Sequence, residues 1–113
     1  MSDPAIEVTE NRSEHHRYDI TVDGEQAGFS AYRDVESRSG SADQRILYHT
    51  VVEDSFEGRG LASQLTRGAI EQAVAQGYRI VPLCPYVKSW VQKHTEYADS
   101  IDAVTPDHLA LFS

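Results

Sequence analysis

A loop with two glycines lies between an apolar segment and a helical one, and its backbone is the first candidate for chemistry. The apolar segment ends at Val52, the loop carries Gly58 and Gly60, and a helix begins at Leu61. The first N–H groups of a helix have no intrahelical partner, and the helix dipole places a partial positive charge there. Because glycines let an anion approach the backbone closely, the loop predicts a phosphate-binding site with Arg59 as a neighbouring cation. The alternative is that the two glycines only turn the chain.

The common nucleotide-binding motifs do not match this loop. A P-loop requires Gly-Lys-Ser/Thr after four intervening residues, and that sequence is absent. A dinucleotide fingerprint requires a third glycine where this chain has Ser63. The loop therefore disfavours both usual nucleotide sites and leaves the phosphate ligand to be identified from other features.

His49 and Cys84 have the side chains best suited to proton transfer and nucleophilic attack. His49 lies in the apolar segment before the loop, and an imidazole titrates near neutral pH, so it is a candidate base. The alternative for His49 is a buried structural histidine. Cys84 ends a second apolar run just before a helix, where a thiol can become a nucleophile, although it could equally be a small buried apolar side chain. The other histidines show no spacing with further metal ligands, so no metal site is predicted.

Strands predominate in the first half of the chain. Apolar residues alternate with polar ones between Ile6 and Val35, and Asp23-Gly24 supplies a turn, so this region predicts a β-hairpin. Residues 45–52 predict a further strand that leads into the glycine loop.

Helix and strand alternate in the second half. Apolar residues at intervals of four predict a helix from Leu61 to Gln76, with Gly77 at its C-terminal end. Residues 78–84 predict a buried strand that loses pairing near Pro82, because proline donates no hydrogen bond to the ladder. A second helix is predicted over 85–97. This order predicts an α/β fold with a mixed, mostly antiparallel sheet and one parallel pair of strands joined by a right-handed crossover.

Composition limits the classes of function. A chain of 113 residues predicts a single domain over residues 1–113, with residues 1–5 frayed. The net charge of -8 argues against binding to nucleic acid or to an anionic membrane surface. The single cysteine excludes an intramolecular disulfide, and neither a membrane-spanning segment nor a signal peptide is evident, so a cytoplasmic location is expected.

The loop segment resembles the pyrophosphate-binding motif of the GCN5-related N-acetyltransferases, Gln/Arg-x-x-Gly-x-Gly/Ala. Gly60 and Ala62 match its last two positions, whereas Glu57 replaces the expected Gln or Arg. His49-Thr50 and the segments 80–87 and 94–98 are similar to the small stand-alone, YjdJ-like group of these enzymes. The resemblance covers roughly residues 6–101.

This resemblance implies a minimal form of the N-acetyltransferase fold, in which the two parallel strands splay apart to bind acetyl-coenzyme A. The pyrophosphate would bind the N–H groups of residues 58–63, and the pantetheine would run between the strands that end at Val52 and near Cys84. The cofactor-binding residues implied are Val51, Val52, Glu57, Gly58, Arg59, Gly60, Leu61, Ala62, Ser63, Cys84 and Trp90.

The resemblance also suggests catalytic roles for three residues. His49 would be the base for the amine, and Tyr86 would protonate the departing thiolate, although plain packing remains the alternative for Tyr86. Cys84 would either accept the acetyl group or line the thiol pocket, with direct transfer as the expected mechanism.

The acceptor predicted in this way is an amine, carried by a small molecule or a protein, and the acidic chain favours a cationic one. Two other classes of function stay open. One is an acyl-coenzyme A-binding module with little or no catalysis, and the other is an interaction domain without a cofactor. A monomer or weak dimer is expected.

Overall fold

The structure, a computed structural model, describes residues 5–12, 16–36 and 42–112. The strands are β1 (Ile6–Asn11), β2 (Arg17–Val22), β3 (Glu25–Val35), β4 (Gln44–Val52) and β5 (Arg79–Pro82). The helices are α1 (Leu61–Ala75), α2 (Pro85–Lys93) and α3 (Pro106–Ala110), with 3-10 turns at Asp54–Phe56 and Thr95–Ser100. The frayed start expected over residues 1–5 lies outside the described residues, apart from Ala5.

The five strands form one mixed sheet in the order β1-β2-β3-β4-β5. β1 to β4 pair antiparallel in chain order, and β4 pairs with β5 in parallel. The turn between β2 and β3 is made by Asp23 and Gly24, which both have positive φ, as a tight hairpin turn requires. The hairpin and the mixed α/β fold predicted from the sequence are therefore confirmed.

Helix α1 covers one face of the sheet, which we call the helix face. Its apolar stripe packs against inward-pointing side chains of the strands, because residues two apart on a strand share a face. The stripe consists of Leu61, Leu65, Ala69, Ile70 and Ala73, and the strands contribute Tyr18, Ile20, Val22, Tyr32 and Leu47. Helix α2 adds Val87 and Trp90 to the same core. Helix α1 ends at Ala75, and Gly77 follows its C-cap with a φ of +93°, the left-handed conformation expected of a glycine just beyond a helix.

Helix α2 is shorter than the helix predicted over residues 85–97. α2 ends at Lys93 instead of continuing to residue 97. His94 leaves the helical conformation, stacks on the Trp90 ring at a centroid distance of 3.8 Å, and bonds the Trp90 carbonyl through Nδ1 at 2.8 Å. These contacts give the Trp90 carbonyl near the end of α2 a hydrogen-bond partner. The helix therefore stops there, and the chain continues as a 3-10 turn.

The opposite face of the sheet is covered only in part by the described residues. The C-terminal segment crosses it at the start of β4, where His108 bonds Gln44 at 2.8 Å and Phe112 contacts the ring of Tyr48. No described helix covers the side chains of Phe29, His49 and Val51, and we call this region the open face. Among the described helices, none is long and apolar enough to cross a membrane.

A buried ion cluster stands at the end of the helix face remote from the glycine loop. We call it the Arg45 cluster, and it comprises Arg45, Glu10, Asp34, Tyr18 and Tyr32. The Arg45 guanidinium is fully buried, bonds both oxygens of Asp34 at 2.7 and 2.9 Å, and stacks on the Tyr32 ring. Burial alone would raise the pKa of Glu10, but hydrogen bonds from Tyr32, Gln76 and Arg12 and the charge of Arg45 lower it to about 2.

This lowered pKa predicts a specific acid sensitivity. The pKa of Glu10 is about 2 in the folded protein and 4.5 in the unfolded chain, so its carboxylate contributes its full stabilisation at pH values above 4.5. That contribution is lost as the pH falls through about 2. In Glu10→Gln we expect a weaker dependence of the free energy of unfolding on pH below 4.5, measured by urea unfolding. The same substitution at exposed Glu7 on this strand is the control, and an unchanged slope in Glu10→Gln would contradict the assignment.

Candidate active site

Strands β4 and β5 separate halfway along β4 and leave a gap between them. Their parallel pairing runs only from Gln44 to Leu47 on β4 and ends opposite Pro82. The last link is the Cys84 N–H, which donates to the Leu47 carbonyl at 2.9 Å. Proline cannot donate a ladder hydrogen bond, and α2 then carries the chain away from the sheet. Loss of pairing near Pro82 was predicted from the sequence, and the structure shows it.

A β-bulge at Tyr48 decides which side chains point to each face beyond this point. Ala31 pairs with His49, and Tyr32 pairs with Leu47, so Tyr48 is the extra residue on β4. His49 and Val51 therefore point to the open face, and Thr50 and Val52 point to the helix face.

The bulge also decides which backbone groups of β4 face the gap. The carbonyl of Val51 points towards β3, where a Cβ on Gly28 would overlap it. The Glu53 N–H likewise donates to Ala27 of β3. Because successive residues of a strand alternate their hydrogen-bonding sides, Thr50 and Val52 present their backbone groups to the gap. Thr50 is thus better placed than Val51 for the pantetheine pairing predicted from the sequence.

His49 is exposed on the open face, beside the gap. Its ring contacts Phe29 edge-on at a centroid distance of 6.0 Å. The alternative of a buried structural histidine is wrong, because the side chain lies at the surface. An exposed imidazole can exchange protons with water and can meet an acceptor that approaches from the open face.

Cys84 lies on the other side of β4 from His49. Cys84 is buried, with 6% of the residue exposed, and its thiol donates to the Thr50 hydroxyl at 3.6 Å. The structure therefore does not bring Cys84 and His49 together on one face. It adds Thr50, to which the sequence alone assigned no role, because only the register and the bulge reveal the face of its side chain.

The glycine loop forms an open cradle at the start of α1. Gly58 and Gly60 have φ of +81° and +72°, a conformation that side chains rarely adopt. A Cβ at either position would meet nothing within 4 Å, so the main chain there is open to a ligand. No described side chain caps α1, and its first N–H groups stay available for an anion. The cradle thus fits a pyrophosphate group.

Most of the predicted cofactor residues surround one cavity of 270 Å³ at this cradle. Its walls are formed by Val52, Phe56, Glu57, Gly58, Gly60, Leu61, Ala62, Ser63 and Tyr86. Phe56 was not predicted, and its ring also supports the exposed Arg59, whose guanidinium lies 5.2 Å from the ring centroid. Trp90 is buried and donates to the Ser63 hydroxyl at 2.8 Å, so it supports the cavity wall through Ser63.

Tyr86 is found with the cradle residues, and its hydroxyl interacts with Ser63. Burial raises the pKa of Tyr86, which the interaction with Ser63 offsets in part. A phenol with a raised pKa is a weaker proton donor.

Glu57 is one of the residues that line the same cavity, and its side chain carries a negative charge close to the cradle. A negative charge there opposes a bound phosphate, so Glu57→Gln is expected to tighten binding of coenzyme A about two- to fivefold. The gain should shrink in high salt, because exposed charges are screened. Calorimetric titration at two salt concentrations measures it, with Glu53→Gln, outside the cavity wall, as the control. Weaker binding by Glu57→Gln would mean that the carboxylate accepts a ligand hydrogen bond instead.

Residues 17–100 match a family model described as GCN5-related N-acetyl-transferase. This match spans β2 to β5 with α1 and α2, and therefore the gap and the cradle. The chain belongs to the GCN5-related N-acetyltransferase family. Its place in the YjdJ-like group of that family stays a prediction. No curated protein gives a significant match to the chain.

Solved structures agree with the family at the level of the fold. A ribosomal-protein-alanine N-acetyltransferase from Brucella melitensis biovar Abortus 2308 is 20% identical, with a TM-score of 0.56 over 79% of this chain and 62% of that protein. An integron cassette protein from the mobile metagenome of V. cholerae is 13% identical, with a TM-score of 0.53 over 80% of this chain and 56% of that protein. The chain thus spans less than two thirds of either structure.

Metal ligands do not cluster in the described part of the chain. No group of three or more His, Cys, Asp or Glu side chains there is arranged to hold a metal ion. The candidate site consists of backbone groups and of the polar side chains around the gap.

Proposed function

We propose that this protein is an N-acetyltransferase that moves an acetyl group from acetyl-coenzyme A to an amine. The observation that carries the proposal is the open gap between β4 and β5, which leads to an uncapped helix start with two left-handed glycines. The pyrophosphate would be held by the N–H groups of α1 and its loop. The backbone groups of Thr50 and Val52 would hold the pantetheine.

His49 is the proposed base, because its imidazole is exposed on the open face and belongs to β4, the strand that borders the gap. An amine must lose a proton before it attacks a thioester, and an imidazole near neutral pH is suited to accept it. Cys84 lies on the opposite side of β4, so we propose direct transfer from the coenzyme to the amine without an acetylated cysteine.

The acceptor approaches across the open face in this proposal. No described helix encloses that face, and the net charge of the chain is -8. A cationic amine that is poorly enclosed, such as a polyamine or a lysine side chain on a protein, suits this geometry. Acetylation of neutral amines as fast as cationic ones, compared in one panel at low salt, would argue against this acceptor class.

The first experiment is a calorimetric titration with acetyl-coenzyme A and coenzyme A under reducing conditions. In Gly60→Asp a carboxylate stands at the mouth of the cradle, and we expect affinity to fall at least about tenfold. Gly24→Asp is a matched control, because Gly24 also has a left-handed φ of +85° with open space around it and lies in the β2–β3 turn.

Binding that is lost in Gly60→Asp and kept in Gly24→Asp supports the cradle as the pyrophosphate site. Equal affinities in all three proteins would contradict it. The wild-type protein is then assayed with a broad panel of amines. Binding without turnover would replace the enzyme by an acyl-coenzyme A-binding module.

A further inference from the structure

Three small polar side chains line up on the helix face where the gap opens. Cys84 donates its S–H to the Thr50 hydroxyl at 3.6 Å. Thr50 pairs directly with Ser30 on β3, and alternation places both side chains on the same face. Ser30 is completely buried, and its hydroxyl has no partner among the described residues. The row runs from β3 across β4 to the start of α2.

A buried hydroxyl without a hydrogen-bond partner lowers the stability of the fold. Its presence is explained if it forms a hydrogen bond in another state of the protein. Thr50 accepts the thiol proton of Cys84, and no described acceptor is found for its own hydroxyl proton. Its hydroxyl meets Cys84 across the opening between β4 and the end of β5, so the side chain lies where the gap begins. Thr50 is therefore a donor at the gap, with Cys84 behind it as a source of a second proton.

The reaction proposed above needs a proton donor for the leaving group. We propose that this proton comes from the Thr50–Cys84 pair, with Thr50 as the donor and Tyr86 in a supporting role at the cradle. The inference rests on the proposed function. When bound, the coenzyme supplies an acetyl thioester whose sulfur departs as a thiolate once the amine has attacked.

Thr50, Cys84 and His49 exchange all the protons that move in this step. The Thr50 hydroxyl gives its proton to the departing sulfur, and Oγ1 of Thr50 takes the proton from Sγ of Cys84 in the same step. Cys84 is left as a thiolate and regains a proton from solvent. The amine proton goes to His49. The neighbouring Ser30 hydroxyl would donate a hydrogen bond to Oγ1 of Thr50 while that oxygen carries increased negative charge during the transfer.

Chemical matching favours a thiol as the ultimate donor. Proton transfer is most effective between groups of similar proton affinity, and here a thiol supplies the proton that a thiolate receives. Tyr86 lies with the pyrophosphate cradle and interacts with Ser63, so its position is less suitable than that of Thr50.

The first test uses the protein without any ligand. Cys84 is the only cysteine, so the Raman S–H stretching band reports on this side chain alone. An S–H group that donates a hydrogen bond vibrates at lower frequency. We expect the band to move to higher frequency in Thr50→Val and to stay in place in Thr50→Ser and Tyr86→Phe. An unmoved band in Thr50→Val would overturn the proposal, and Thr50→Ala provides the same readout if the valine variant does not fold.

The second test compares turnover in the same variants. Thr50→Val is expected to lower kcat about a hundredfold, the typical effect of losing a proton donor, with Thr50→Ser largely rescuing it. Affinity for coenzyme A should be unchanged in Thr50→Val and Thr50→Ser, because both variants keep the backbone groups that would hold the pantetheine. A fall in kcat for Tyr86→Phe with none for Thr50→Val would overturn this proposal alone. No turnover by the wild-type protein would overturn the proposed function and this inference with it.

Discussion

Replacing Arg45 with methionine is expected to lower the free energy of unfolding by about 3–5 kcal/mol, because it removes one partner of a buried ion cluster. The Arg45 side chain is 0% exposed and bonds Asp34, Glu10 and Tyr18. Methionine fills similar space but leaves the buried oxygen atoms without their donor. Urea unfolding followed by circular dichroism measures the change.

Arg12→Met is the matched control. Arg12 and Arg45 both pair with the same oxygen of Glu10, at 3.1 and 3.2 Å, but the Arg12 side chain is 61% exposed. Exposed ion pairs contribute about 0–1 kcal/mol, so Arg12→Met should have little effect. Similar losses in the two variants would show that burial does not set the strength of these contacts.

Gly28→Ala is expected to damage both stability and coenzyme binding. A Cβ at this position would overlap the Val51 carbonyl and lie 3.0 Å from the Val52 Cα. Both atoms belong to the backbone, so β4 must move, and overpacking of this kind typically costs about 1–3 kcal/mol. Because Val52 lines the cradle cavity, the movement should also weaken coenzyme A binding several-fold, as measured by calorimetry.

Gly68→Ala separates the two effects. A Cβ there would lie 2.8 Å from the Val8 side chain, on β1 at the edge of the sheet opposite β5. We expect a similar loss of stability with unchanged coenzyme affinity. An equal loss of coenzyme A affinity in Gly28→Ala and Gly68→Ala would contradict this expectation. It would show that the affinity follows the overall stability of the protein and not the position of β4.

Local patterns in the sequence were sufficient for the elements and for the cradle. Alternating residues from Ile6 to Val35 and the four-residue spacing on α1 depend only on the period of each structure. The cradle was predictable because Gly58 and Gly60 act through their own backbone, which needs no distant partner. The end of α2 was missed, since it depends on contacts of His94 with Trp90.

The sequence by itself thus determined the β2–β3 hairpin, the strand before the glycine loop, the crossover helix and the loop itself, all of which follow from periodicity and turn chemistry over a few residues. It did not separate β1 from the hairpin. Only the tertiary structure decided which side chains meet at the gap. The bulge at Tyr48 exchanges the faces of all later residues on β4, so it separates His49 from Cys84 and brings Thr50 to the thiol. A one-residue bulge reverses the alternation of a strand, and its position is set by the pairing with β3, which no local pattern in β4 records.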